Sequence, residues 1–145
     1  MNILIIQGPN LNLLGIKSAK LGKRITLDKI NKGIRRYIRE KEINVKIYQT
    51  HSIDKAVTLL QRNRNWANGI IIAPGVWSTY EAILLDTLAL IEVPTIEVYD
   101  ENDNKDYAEK SLLSKVCKKK IVASTEEMFV NGLKHITDEL ITNLQ

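Results

Sequence analysis

The apolar run Ile3-Leu4-Ile5-Ile6 discharges directly into Gln7-Gly8-Pro9-Asn10-Leu11-Asn12-Leu13-Leu14-Gly15. Four successive branched aliphatic residues without alternation read as a strand buried on both faces, as in parallel sheets. Gly8, Pro9 and Asn10 are turn formers, and by themselves they are also compatible with a plain turn. In an open α/β sheet, however, the loop at the carboxyl end of such a strand is where ligands sit. Asn10 and Asn12, one residue apart, point to one side of an extended loop and offer two neutral amides that both donate and accept. Such a pair suits a polyhydroxylated or water-bearing substrate better than a metal or a nucleotide.

Working outward, short apolar runs at Ile3 to Ile6, Ile43 to Tyr48, Gly69 to Ala73, Thr95 to Tyr99 and Lys120 to Ala123 read as five strands. Helical periodicity fills the intervals: Leu27, Ile30, Ile34 and Ile38; Ile53, Val57 and Leu60; Ala82, Leu85, Leu88 and Ala89; Met128, Leu133, Ile136 and Leu140. Thr26 and Ser52 are expected N-caps, and Ser124 with Glu127 forms a capping-box pattern. Strands alternating with helices imply an α/β fold with a flavodoxin-like, doubly wound, five-stranded parallel sheet flanked by helices, in a single domain over 1–145. The loops after the first, third and fourth strands then share one rim, gathering Asn10, the segment Pro74 to Tyr80 and the segment Tyr99 to Asn104. Residues Ile16 to Arg24, rich in Lys, Ser and Gly, are expected to form a mobile flap over that rim or an unstructured connection.

Composition narrows the chemistry. The chain has 145 residues and a formal charge of +4, with a pI near 9.1. Its basic clusters, Arg35-Arg36, Arg39 and Lys118-Lys119-Lys120, have the spacing of solvated helix and strand faces, so no nucleic-acid partner is expected. A single cysteine, Cys117, makes no internal disulfide, and His51 and His135 form no zinc cluster, so no metal is expected. Neither GxGxxG nor GxxxxGK occurs, which argues against a nucleotide cofactor; no cofactor is expected. No run is long enough to span a membrane and the start has no signal-peptide pattern, which points to the cytoplasm.

The opening QGPNLNLLG, the helix start at Thr26-Leu27, the strand end Tyr48-Gln49-Thr50, Pro74-Gly75 with Asp86, and Val93-Pro94-Thr95-Ile96-Glu97-Val98 together resemble the type II 3-dehydroquinate dehydratases. Ser111, Leu113 and Ser114 are similar to that family's segment before its last strand. The resemblance implies a small-molecule substrate and a mechanism in which a flap tyrosine, made basic by a neighbouring arginine, removes a proton beside a ketone. An enolate forms, and a protonated histidine helps expel water. A phenol ionises near pH ~10 when unperturbed, so such a base needs adjacent positive charge. The enolate needs donors, which asparagine amides supply.

Carried over residue by residue, the resemblance keeps some roles and changes others. Asn10 matches the first-loop asparagine, and Lys17 stands where the flap arginine is expected, keeping charge but losing the planar fork. The flap tyrosine falls at Leu21 or Gly22, neither of which can abstract a proton. Ala73 replaces the asparagine before Pro-Gly, Thr79 replaces one histidine, and Tyr99 replaces another beside the retained Glu97. Asp100 and Glu101 occupy the region that holds the substrate carboxylate in the family, where two carboxylates repel an acid. The late arginine has no clean counterpart, with Lys105 or Lys110 as substitutes.

Two readings follow. In the first, the chain is a diverged lyase acting on a small cyclic substrate, with Asn10, Lys17, Glu97 and Tyr99 as its chemical residues. Its substrate contacts are then Asn12, Ala73, Pro74, Gly75, Trp77, Ser78, Thr79, Asp100, Glu101, Asn102 and Lys110. Tyr99 at a strand end faces the crevice in this reading, and Trp77 and Tyr80 line a flatter, more apolar pocket. With base, acid and carboxylate clamp altered together, the ordinary dehydration is not the expected reaction. In the second, the chain is a non-catalytic ligand-binding or structural subunit. The resemblance also implies a homo-oligomer built from trimers, up to a dodecamer, with the helix from Thr79 to Ile91 and the neighbourhood of His51 near its contacts.

Overall fold

Each of the five apolar runs pairs in parallel, and four short connections of helical period carry the chain back between them. The computed structural model describes residues 1–22 and 24–144, with the side chains of Lys17 and Leu144 outside that description. Strands β1 (Asn2–Gln7), β2 (Asn44–Gln49), β3 (Gly69–Ala73), β4 (Thr95–Asp100) and β5 (Lys119–Ala123) form one sheet in the order β2-β1-β3-β4-β5. This is the doubly wound, flavodoxin-like order expected from the sequence. Every pairing is parallel, with Ile5 opposite both Ile47 and Ile71.

Register decides which side chains share a layer. Ile3, Ile5, Ile71, Ile96, Val98 and Ile121 pack under the helices α2 (Leu27–Ile38) and α7 (Met128–Leu144). Leu4, Ile6, Ile70 and Ile72 face the other way, under α3 (Ile53–Asn63) and α5 (Ala82–Ile91). Because β1 and β3 are covered on both sides, their apolar runs show no alternation. Three shorter helices complete the chain: α1 (Leu14–Lys20), α4 (Trp77–Tyr80) and α6 (Lys105–Glu109).

Local signals start the helices where expected. Thr26 Oγ1 accepts the Lys29 N–H at 3.2 Å and Ser52 Oγ accepts the Lys55 N–H at 3.3 Å. At Ser124 the bonds are backbone ones, from the N–H groups of Glu127 and Met128 to the Ser124 carbonyl. Within the stretch Ile16 to Arg24, expected as a mobile flap or an unstructured connection, the residues up to Lys20 belong to the helix α1. Buried Ser18 anchors it, its hydroxyl bonding both the carbonyl (2.8 Å) and the N–H (2.9 Å) of Ile25. Lys23 lies outside the described residues.

The strand order reverses between β1 and β3, and there the two departing loops touch. Gly8 N–H donates to the Ala73 carbonyl at 2.9 Å. A Cβ on Gly8 would lie 2.5 Å from that same oxygen and 3.2 Å from the Trp77 ring. Only glycine fits, because backbone on one side and a buried indole on the other leave no room to yield. Gly8→Ala is expected to destabilise the fold by about 1–3 kcal/mol, the range for overpacking a close contact. Urea denaturation of the two proteins checks this, and an unchanged midpoint would remove the argument.

Candidate active site at the carboxyl rim of the sheet

Asn10 adopts a left-handed conformation (φ 69°) that asparagine tolerates, and its carbonyl accepts the Leu13 N–H at 2.9 Å. Across the rim Gly75 is also left-handed (φ 52°), with its Cα side turned to Pro9. Between them opens a crevice of about 450 Å³, lined by Asn10, Leu13, Leu14, Ile16 and Lys20 on one side and by Gly75, Val76, Asp100, Asp103, Asn104 and Tyr107 on the other. Its size falls within the range of small-molecule sites. Ser78, fully buried, ties two of its walls together, its hydroxyl reaching the carbonyls of Gly75 (2.9 Å) and Tyr107 (3.2 Å).

Asp100 is the deepest charged group in the crevice. It is 4% exposed, its Oδ1 accepting the Asn102 N–H at 2.9 Å and its Oδ2 accepting the Thr125 hydroxyl at 2.6 Å. A second, much smaller cavity of about 50 Å³ lies on its other side, lined by Ser18, Asn102, Ser124, Thr125 and Glu126 among others.

Of the site residues expected from the sequence, Asn10, Gly75 and Asp100 meet in the crevice, and Asn102 lines the smaller cavity. Others lie elsewhere. The loop is not extended after Asn10 but turns through a 3-10 segment at Leu11–Leu13, so Asn12 is exposed and does not line the crevice with Asn10. Ala73 belongs to the apolar layer under α2, and Trp77 to the layer under α3 and α5. Pro74 is buried, while Tyr80 is exposed on the outer surface, so neither Trp77 nor Tyr80 forms an apolar pocket wall. Thr79 turns back to its own helix, donating to the Val76 carbonyl at 3.0 Å. Glu101 and Lys110 are exposed outside the lining, and the Lys17 side chain lies outside the described residues.

Tyr99, expected at the crevice, is 1% exposed. Alternation on β4 puts it on the face opposite to Asp100, together with Glu97. Its hydroxyl donates to Glu97 Oε1 at 2.6 Å, and Ser114 Oγ donates to Glu97 Oε2 at 3.0 Å. Glu97 is fully buried, and the donors it receives among the described residues, Tyr99 and Ser114, are neutral, with the Cys117 thiol as a further neighbour. Burial and then the Glu97 charge push the Tyr99 phenol far above its ordinary value of 10.0, and the same causes raise the Cys117 thiol above 9.0. Neither group is a base at neutral pH. Asp103 and Asn104 fall in the expected rim segment Tyr99 to Asn104 and Lys20 in the stretch expected to lie over it, whereas Tyr107 was missed by the sequence reading; it lies in α6, whose five residues are too short for periodicity to mark.

The family model described as Dehydroquinase class II matches residues 1–137. This chain belongs to the class II dehydroquinase family. Among curated dehydroquinase relatives, a 3-dehydroquinate dehydratase from Clostridium botulinum (strain 657 / Type Ba4) is 33% identical over 113 residues, 77% of each chain. Another from Sulfurovum sp. (strain NBC37-1) is 31% identical over 124 residues, 84% of this chain and 76% of the relative. Among solved structures, the type II dehydroquinase from Butyrivibrio crossotus superposes with a TM-score of 0.83 at 27% identity, covering 94% of this chain and 97% of that one. A 3-dehydroquinate dehydratase-like protein from Bifidobacterium longum shares the dehydroquinase fold, with a TM-score of 0.70 at 14% identity over 98% of both chains.

The raised Tyr99 and Cys117 values carry a sign. The native state keeps both protons, whereas the unfolded chain releases them from about pH 9.0 and 10.0. Their contribution to stability is therefore full below about pH 9 and is lost progressively as pH rises from there toward the raised native-state values. Tyr99→Phe is expected to flatten the loss above pH 10 while lowering stability at pH 7 by about 1–3 kcal/mol, since Glu97 forfeits a donor. Urea midpoints at pH 7, 9 and 10.5 measure both effects; parallel profiles for the two proteins would refute the assignment.

Proposed function

We propose that this dehydroquinase-family chain is a diverged hydro-lyase that acts on a small cyclic polyhydroxylated substrate in the crevice between Asn10 and Asp100. The observation that carries the reading is their juxtaposition: a neutral amide and a buried carboxylate line one crevice at the switch point of the sheet. The amide suits a developing enolate oxygen, and a carboxylate suits the transfer of a proton from carbon or to a leaving hydroxyl. Tyr99 and Glu97 take positioning roles in this reading, supporting β4 from beneath, and Lys17 retains the cation of the α1 segment. The relatives' dehydration of 3-dehydroquinate is then the ancestral reaction rather than the efficient one.

A second reading, a non-catalytic ligand-binding subunit, draws on the closed Tyr99–Glu97 pair and on Ala73 within the core. Absorbance of the enoate or enone product separates the two. Purified protein at high concentration receives 3-dehydroquinate in one assay and the neutral β-hydroxy ketone 3-hydroxycyclohexanone in another. Water loss from either ring is expected, falling about a hundredfold or more in Asn10→Ala. No product from either, with the fold intact by circular dichroism, eliminates the hydro-lyase and leaves the binding subunit.

We also propose a homo-oligomer based on trimers, in a cytoplasmic setting that suits the lone thiol of Cys117. Its support is α5, whose core side buries Leu84 and Leu88 while its outer side carries Asp86 together with Ile83 and Leu90, which are 52% and 74% exposed. Sedimentation of the 16.5 kDa chain is expected to give a multiple of three, reduced by Leu90→Lys. A monomer at micromolar concentration would dispose of the assembly.

A further inference from the structure

We propose that Asp100 determines the substrate class of the crevice: it selects a ring that presents a hydroxyl or ammonium donor and rejects one that presents a carboxylate. This inference rests on the crevice being the substrate site and names what that site takes.

Three observations support it. Asp100 accepts one hydrogen bond at each oxygen, from the Asn102 N–H and the Thr125 hydroxyl. A carboxylate has room for about four, so acceptor capacity remains, and Asp100 lines the crevice. Its orientation is held, because Thr125 is itself 8% exposed and the Asp100 carbonyl accepts the Asn104 N–H at 2.9 Å, locking the backbone on the other side. A group so fixed loses little entropy when a ligand donor arrives.

Position then weighs the charges at the rim. Among the described residues, the charged side chains lining the crevice are Asp100, Asp103 and Lys20. Asp103 and Lys20 are exposed, so solvent and salt screen them, whereas Asp100 is 96% buried, being 4% exposed. A ligand carboxylate near Lys20 gains little, while one at the floor meets a buried like charge. The opposite wall of Leu13, Leu14 and Ile16 is apolar and suits the face of a saturated ring. Together these walls fit a neutral or amine-bearing cyclic polyol.

Calorimetric titration with three rings tests the assignment: myo-inositol as the neutral polyol, quinate as the carboxylate-bearing ring, and 2-deoxystreptamine as the amine. Wild-type protein is expected to bind the neutral and amine rings at least about tenfold more tightly than quinate. Asp100→Asn, isosteric and uncharged, is expected to narrow or invert that order, with quinate gaining and the amine losing. Asp100→Ser serves as the second variant, and circular dichroism confirms that each is folded. Quinate binding the wild type as tightly as the other rings, or an order unchanged in both variants, overturns the assignment. So does failure of all three rings to bind the wild type. Selective binding in the expected order without water loss from either ketone keeps the role of Asp100 and removes only the hydro-lyase.

Discussion

The hydrogen bond from Gly8 N–H to the Ala73 carbonyl is the joint on which the rim of this molecule depends. It forms where β1 and β3 part, at the place where the winding of the sheet changes direction. With no side chain on Gly8 the two loops close to backbone distance, and Trp77 fills the layer beside them. Asn10 and Gly75 then leave in left-handed conformations on either side, and the crevice opens between them. A larger residue at Gly8 separates the loops and with them the two halves of the site.

On β4 one strand feeds two unlike environments. Period-two alternation sends Asp100 toward the crevice and the helices α2 and α7, while Glu97 and Tyr99 go to the opposite layer. Glu97 is fully buried, and hydroxyl donors from Tyr99 and Ser114 satisfy it. Removing a donor from a buried carboxylate leaves a large desolvation cost, which is why this pair is a structural lock rather than free chemistry. Tyr99 is thereby withdrawn from the rim, and the neighbouring Asp100 is the buried acidic group among the described residues that line the crevice.

Class II dehydroquinase membership accounts for the scaffold. The divergence proposed for the chemistry lies in side chains that the scaffold does not need. Ala73 packs against the core beside the β1–β3 pairing. Thr79 satisfies its own hydroxyl on the preceding turn.

The sequence by itself determined the five strands, to within one residue at each end, because unbroken apolar runs between turn residues leave no other way to bury them. Thr26 and Ser52 were legible as caps because capping is local chemistry. Asn10 was legible as a rim residue because it follows a buried strand directly. Tertiary structure alone decided that Tyr99 is sealed against Glu97, that Asn12 turns away from Asn10, and that α1 is pinned through Ser18 and Ile25. It also decided that Tyr107 joins the crevice. Those outcomes depend on contacts between segments far apart in the chain, and on which face of a strand end is roofed by a helix. Spacing in one dimension carries the period of a strand, but not what lies across from its last residue.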